Sequence, residues 1–219
     1  MPKKFEKEFI SYCENQNLEV NPNQIKVIKK LEDYHNSNYK SFFSKLFSKQ
    51  KTKKGFYLYG GVGVGKTMIL NFFYDHLEEK KLKKHFNEFM LGFHDFVHEQ
   101  KEKNEENVIN QFVKNLKSKA SLVYFDEFQV TNIVDAMILG KLFEQIFKED
   151  IKIILTSNTK ISELYKEGLQ REQFIPFIKI MEDQSIEYEL KIEDDYRKSN
   201  DNQKQRYFFP LNQETNFKI

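Results

Sequence analysis

Three short uninterrupted apolar runs stand out along an otherwise amphipathic chain: Phe56-Tyr57-Leu58-Tyr59, Leu122-Val123-Tyr124-Phe125 and Ile153-Ile154-Leu155. Runs of this length without polar alternation predict strands buried in a parallel sheet. Each ends in a polar tip: a glycine loop, Asp126-Glu127, and Thr156-Ser157-Asn158. Residues 84–90, KHFNEFM, alternate enough to predict a second strand, and Ile186–Ile192 a fifth. Elsewhere apolar positions recur at helical spacing. Ile69, Leu70, Phe72, Phe73 and Leu77 form one stripe, and Val108, Phe112, Val113 and Leu116 form another over 107–119. Further helices are expected from about Phe93, over Ile133–Phe147, and briefly over Ile161–Glu167 before the break at Gly168. Near the N-terminus, residues 5–13 predict a short helix with Phe5, Phe9 and Tyr12 on one side. Asn21-Pro22 then supplies a cap and a first-turn proline ahead of Ile25, Ile28 and Leu31. Residues 36–54, with Phe42, Phe43, Leu46 and Phe47 among Asn, Ser and Lys, suggest a short amphipathic helix and a basic linker.

The glycine loop gives this alternation a chemistry. Gly60-Gly61-Val62-Gly63-Val64-Gly65-Lys66-Thr67 fits G-x-x-x-x-G-K-[ST], the phosphate-binding P-loop, between a strand and a helix as that motif requires. Glycines bring backbone N–H groups close to phosphate, and the start of the following helix adds its positive end. Lys66 is expected to meet the β- and γ-phosphates and Thr67 to ligate Mg²⁺; the nucleotide-holding set runs from Gly60 to Met68. Asp126-Glu127, at the end of a buried strand downstream of a P-loop, reads as a Walker B pair. Asp126 would hold Mg²⁺, directly or through water, and Glu127 would act as general base on the attacking water. Asn158 arrives at a third strand end, where its amide can face the γ-phosphate and water. The spacing between the two motif strands suits P-loop ATPases with another strand between them. The expected fold is therefore α/β: a three-layer P-loop NTPase with a parallel five-stranded sheet in the order 5-1-4-3-2.

Composition narrows the class. The 219 residues carry a net charge of +2 with 31% charged residues, neither disordered nor as basic as a dedicated nucleic-acid module. One cysteine, Cys13, excludes an intramolecular disulfide. The N-terminus lacks the apolar core of a secretory signal, and no stretch is long and apolar enough to span a bilayer. A soluble cytoplasmic protein is expected. His94 and His98 have i, i+4 spacing, but no third ligand accompanies them, so an amphipathic helix face is the expected role. Among 35 basic residues only Arg171, Arg197 and Arg206 are arginine, which draws attention to sites needing a forked guanidinium.

Together, KGFYLYGGVGVGKTMILNFF, HFNEFMLGFHDFVH, YFDEFQVTNIVDAMIL, SNTKISELYKEGLQREQFIPFI and DYR resemble the ZapE-type ATPases, bacterial cell-division proteins with mitochondrial counterparts within the AAA+ group, so the resemblance implies a P-loop NTPase fold of AAA+ type. The resemblance runs from about residue 18 to 211; DEFQVT and GLQRE carry it more specifically than the P-loop. It implies ATP with Mg²⁺, assembly into a homo-oligomeric ring, and an action on a partner of the tubulin-like FtsZ type. It also implies that Arg171 is an arginine finger, reaching from the subunit edge into a neighbour's site. Two features depart from the family. KKLKKHF stands where Arg-Val-His-Phe-His is usual, with Asn87 in place of the second His. The chain also ends at Ile219, where relatives continue with a segment closing over the nucleotide. Nucleotide binding is thus implied more firmly than efficient turnover. The expected domains are an N-terminal helical segment and linker (1–54), an ATPase core (55–198) and a C-terminal tail (199–219). The leading reading is an ATPase that remodels a protein partner. Its rivals are a nucleic-acid-associated ATPase of helicase-loader type, which the near-neutral charge disfavours, and a nucleotide-binding adaptor with little turnover.

Overall fold

The computed structural model describes residues 4–38, 52–100 and 104–192. Phe42, Phe43, Leu46, Phe47, Arg197, Arg206 and the expected tail lie outside them. Five parallel strands form one sheet: β1 (Gly55–Tyr59), β2 (Lys81–His85), β3 (Leu122–Asp126), β4 (Lys152–Ser157) and β5 (Ser185–Glu189). They lie in the order β2-β3-β4-β1-β5, which is the expected 5-1-4-3-2 seen from the other edge. β4 therefore stands between the P-loop strand and the Asp-Glu strand.

Period-two side-chain alternation divides the buried residues into two layers. Phe56, Leu58, Leu122, Tyr124 and Ile154 face α1 (Lys4–Asn15), α2 (Pro22–Asn38) and α3 (Lys66–Asp75). Tyr57, Val123, Phe125, Ile153 and Leu155 face α4 (Phe86–Glu99), α5 (Glu105–Lys119), α6 (Ile133–Lys148) and α7 (Ile175–Gln184). The predicted caps and stripes largely hold. Asn21 Oδ1 accepts from the Asn23 N–H at 2.8 Å ahead of α2, and Val108, Val113 and Leu116 are on the buried face of α5.

Three boundaries differ from expectation. The second strand is Lys81–His85, and Phe86 already begins a helix, so only Lys84 and His85 of the expected 84–90 are strand and the helix starts well before Phe93. Phe86, Phe89, Met90 and Phe93 recur at helical spacing, and all four are buried. β5 is Ser185–Glu189 rather than Ile186–Ile192, although the Leu190 N–H still donates to the Tyr59 carbonyl at 2.8 Å. The helix expected over Ile161–Glu167 is a single 3₁₀ turn, Ile161–Glu163.

Phenylalanine supplies much of the volume in the second layer. Phe143 on α6 is fully buried, with ring centroids of Phe125, Phe128, Phe147 and Phe177 at 5.9, 6.1, 6.2 and 5.1 Å. Phe143→Ala is expected to cost about 3–5 kcal/mol, measured as a shift in the urea unfolding midpoint. A loss below about 1 kcal/mol would contradict this packing.

Candidate nucleotide site

The carboxyl ends of β1, β3 and β4 bring the sequence-predicted residues together. After Tyr59 the chain turns through Gly60–Gly65, with Gly63 at φ 88° and Gly65 at φ 91°, values that favour glycine. Gly60 also lies so close to the end of β5 that a Cβ there would sit 2.3 Å from the Leu190 carbonyl oxygen. The loop runs into α3, whose first residue is Lys66. The first N–H groups of a helix lack partners within the helix, so this helix start is suited to an anion.

Lys66 is buried, and its Nζ donates to the carbonyls of Gly60 (2.9 Å) and Gly61 (2.7 Å) and to Asn158 Oδ1 (2.9 Å). Burial pulls its ammonium below the ordinary value, with the Asp126 carboxylate opposing that shift. Thr67 Oγ1 donates to Asp126 Oδ1 at 3.0 Å, and Thr156 Oγ1 donates to the same oxygen at 2.7 Å. Thr67 and Asp126 thus present adjoining hard oxygens, the donor type that suits Mg²⁺. Thr156 also holds the turn that follows β3. Its hydroxyl accepts from the Glu127 N–H at 3.0 Å, and its carbonyl accepts from the Phe128 N–H at 2.7 Å. Ser157 Oγ completes this lacing by donating to the Phe128 carbonyl at 2.9 Å. Glu127 is held at φ 56°, with its side chain 80% exposed and Oε2 4.0 Å from His85 Nδ1.

A cleft of about 620 Å³ runs along this arrangement, with Gly63, Gly65–Met68, Glu127 and Thr156–Thr159 in its wall. Tyr57, buried in β1, donates its hydroxyl to the Thr159 carbonyl at 2.6 Å and so ties down the turn that carries Asn158. Burial pushes that phenol well above its ordinary value, keeping it a donor. Arg171 lies elsewhere, in a 3₁₀ turn (Arg171–Gln173). Its Nη2 donates to the Ser162 carbonyl at 2.8 Å, and its buried Nε has no partner among the described residues. His94 pairs with Asp135 of α6 at 2.6 Å. Sequence reasoning did not find Thr156, Tyr57 or His85. Thr156 had a visible signal, a hydroxyl at the end of an apolar run that leads to a polar tip.

Sheet order, glycine loop and strand-end residues define a fold of the P-loop NTPase class, AAA+ type. Solved structures agree in fold. The DnaC helicase loader matches with a TM-score of 0.53 and 14% identity over 78% of this chain and 92% of that one. The replication initiator DnaA bound to AMPPCP and single-stranded DNA matches with a TM-score of 0.54 and 16% identity over 83% and 50%. At such identities the likeness concerns fold alone. Residues 12–219 match the AFG1-like ATPase family, and the chain belongs to it. Lactation elevated protein 1 homolog B of Danio rerio is 39% identical over 69% of this chain and 32% of its own length. Cell division protein ZapE of Escherichia coli K12 is 35% identical over 77% of this chain and 44% of its own. The match therefore spans 32% to 44% of the length of these relatives.

Proposed function

We propose that the chain binds and hydrolyses ATP at this cleft and couples the cycle to remodelling a protein partner. The observation that carries the reading is the meeting of Lys66 with Asn158, and of Thr67 with Asp126, at the ends of neighbouring strands. In this reading the loop N–H groups and Lys66 hold the phosphates. Thr67 and Asp126 would hold Mg²⁺, which supplies positive charge against the β- and γ-phosphates. Asn158 orients the γ-phosphate and water. Glu127 aligns that water and takes its proton as oxygen adds to phosphorus and the bond to the bridging oxygen breaks. The expected division into segments 1–54, 55–198 and 199–219 is kept, with α1 and α2 packing onto the α3 face of the core.

Resemblance to ZapE supports a protein partner of FtsZ type and assembly of several copies. A single cysteine, buried Cys13, suits the cytoplasm. Turnover measured with and without single-stranded DNA or RNA tests the partner class: no stimulation is expected. Marked stimulation would favour the helicase-loader reading, and binding without single-turnover hydrolysis would favour the adaptor.

Arg171 is assigned the finger role. A planar fork can bind two phosphate oxygens at once, which Lys cannot reproduce. Arg171→Lys is expected to bind ATP normally and lose about tenfold to a hundredfold in turnover, because the charge remains and the fork is lost. Mixing Arg171→Ala with Lys66→Ala subunits is expected to restore activity, since each supplies what the other lacks. No recovery in mixtures shown by light scattering to assemble would rule out action in trans.

A further inference from the structure

Tyr124 is fully buried in β3. It stands two residues before Asp126, so both side chains leave the strand on the same face. On that face the ring centroid of Tyr74, from α3, lies 5.9 Å from the Tyr124 ring. Lys83 Nζ, from β2, lies 5.1 Å from the same ring centroid, so the ring is held by two elements. The polar neighbours of its hydroxyl are the Asp126 carboxylate and the hydroxyls of Thr156 and Thr67. Among the described residues the hydroxyl nevertheless makes no hydrogen bond.

Tyr34, Tyr57 and Tyr124 are all among the largest fully buried side chains. Tyr34 donates its hydroxyl to the Lys54 carbonyl at 2.6 Å, and Tyr57 donates to the Thr159 carbonyl at 2.6 Å. Of these three, Tyr124 is the one left without a partner. A buried hydroxyl in that state destabilises the fold. Phe9, Phe56, Phe72 and Phe73 fill the same layer, and phenylalanine at 124 would fill the same space without that cost. Packing therefore accounts for the ring and leaves the hydroxyl unexplained.

The hydroxyl protons around Asp126 are unevenly spent. Thr67 and Thr156 each donate their one proton to Asp126 Oδ1, at 3.0 and 2.7 Å, and Thr156 Oγ1 also accepts from the Glu127 N–H. Tyr124 keeps a proton with no acceptor, and the carboxylate beside it is the strongest acceptor in the group. We propose that Tyr124 is a positioning residue for the cation site: its hydroxyl donates to the Asp126 carboxylate and fixes that ligand when Mg²⁺ is bound. Carboxylates that ligate metals are themselves hydrogen-bonded, and such outer partners set their orientation. The inference rests on Thr67 and Asp126 being the cation site.

The test is equilibrium binding of ATP in excess Mg²⁺ and in EDTA, with a thermal melt of the nucleotide-free protein, for the unmodified chain, Tyr124→Phe and Asp126→Asn. In Tyr124→Phe the gain in ATP affinity from Mg²⁺ is expected to shrink about tenfold, while affinity in EDTA stays within about twofold. Its melting midpoint is expected to hold or rise, since the ring remains and an unpartnered hydroxyl is removed. A gain from Mg²⁺ equal to that of the unmodified chain would overturn the inference. Equal weakening in Mg²⁺ and in EDTA would overturn it too, because the hydroxyl would then serve the fold or the loop rather than the cation. Asp126→Asn separates the two levels. If it loses the gain from Mg²⁺ and Tyr124→Phe does not, only this inference fails; if it keeps the gain, the cation site lies elsewhere and the underlying reading fails as well.

Discussion

Lys66→Ala is expected to remove measurable ATP binding and to lower turnover by about a thousandfold or more. The Lys66 ammonium is buried against three oxygens, the carbonyls of Gly60 and Gly61 and the amide of Asn158. Those acceptors are uncharged, whereas phosphate oxygens carry negative charge and add Coulomb attraction to the hydrogen bond. Burial strengthens the exchange, because the same charge acts in a less polar surrounding. Alanine takes away the charge and leaves the glycine loop and α3 in place. Calorimetric titration and phosphate release measure the effect, and a thermal melt confirms folding. Unchanged affinity together with unchanged turnover would contradict the assignment of the loop.

Glu127→Gln is expected to separate binding from chemistry. The Glu127 backbone sits in the left-handed region, a conformation costing a non-glycine residue on the order of 1 kcal/mol. It is held there by the Thr156 hydroxyl on its N–H and by the Thr156 carbonyl on the next one. This turn puts the carboxylate into the wall of the cleft, largely exposed, while Asp126 beside it stays buried. The two neighbouring carboxylates thus have different surroundings, which suits the different roles proposed for them. Glutamine keeps the shape and the turn, so nucleotide affinity is expected to stay within about twofold while hydrolysis falls by about 10²–10⁴. Hydrolysis at the parent rate would place the base elsewhere.

The central strands were legible because burial on both faces leaves an uninterrupted apolar run, and the order of the sheet followed from the spacing of the two motif strands. β2 was not legible in the same way. It is an edge strand, KLKKH, and its lysines occupy places that apolar residues fill in β3. Lys81 Nζ donates to the Leu77 carbonyl at 2.6 Å, and Lys83 Nζ lies 5.1 Å from the Tyr124 ring centroid. Such contacts depend on chain segments outside the strand, so local pattern does not show them. Reading alternation into KHFNEFM then hid the helical spacing from Phe86 to Phe93. In the site, Lys66, Thr67, Asp126 and Asn158 were found because each stands in a motif or at a strand end. Thr156 and Tyr57 hold the site's turns through partners 30 and 102 residues away, which only the folded chain brings close.

Single-turnover hydrolysis of γ-labelled ATP with Mg²⁺, run side by side on the unmodified chain, Lys66→Ala and Glu127→Gln, tests the nucleotide site most directly. The unmodified chain is expected to bind ATP and release labelled phosphate, Lys66→Ala to retain no nucleotide, and Glu127→Gln to retain ATP intact. Absence of ATP binding by the unmodified chain, or the same time course for all three, would contradict it.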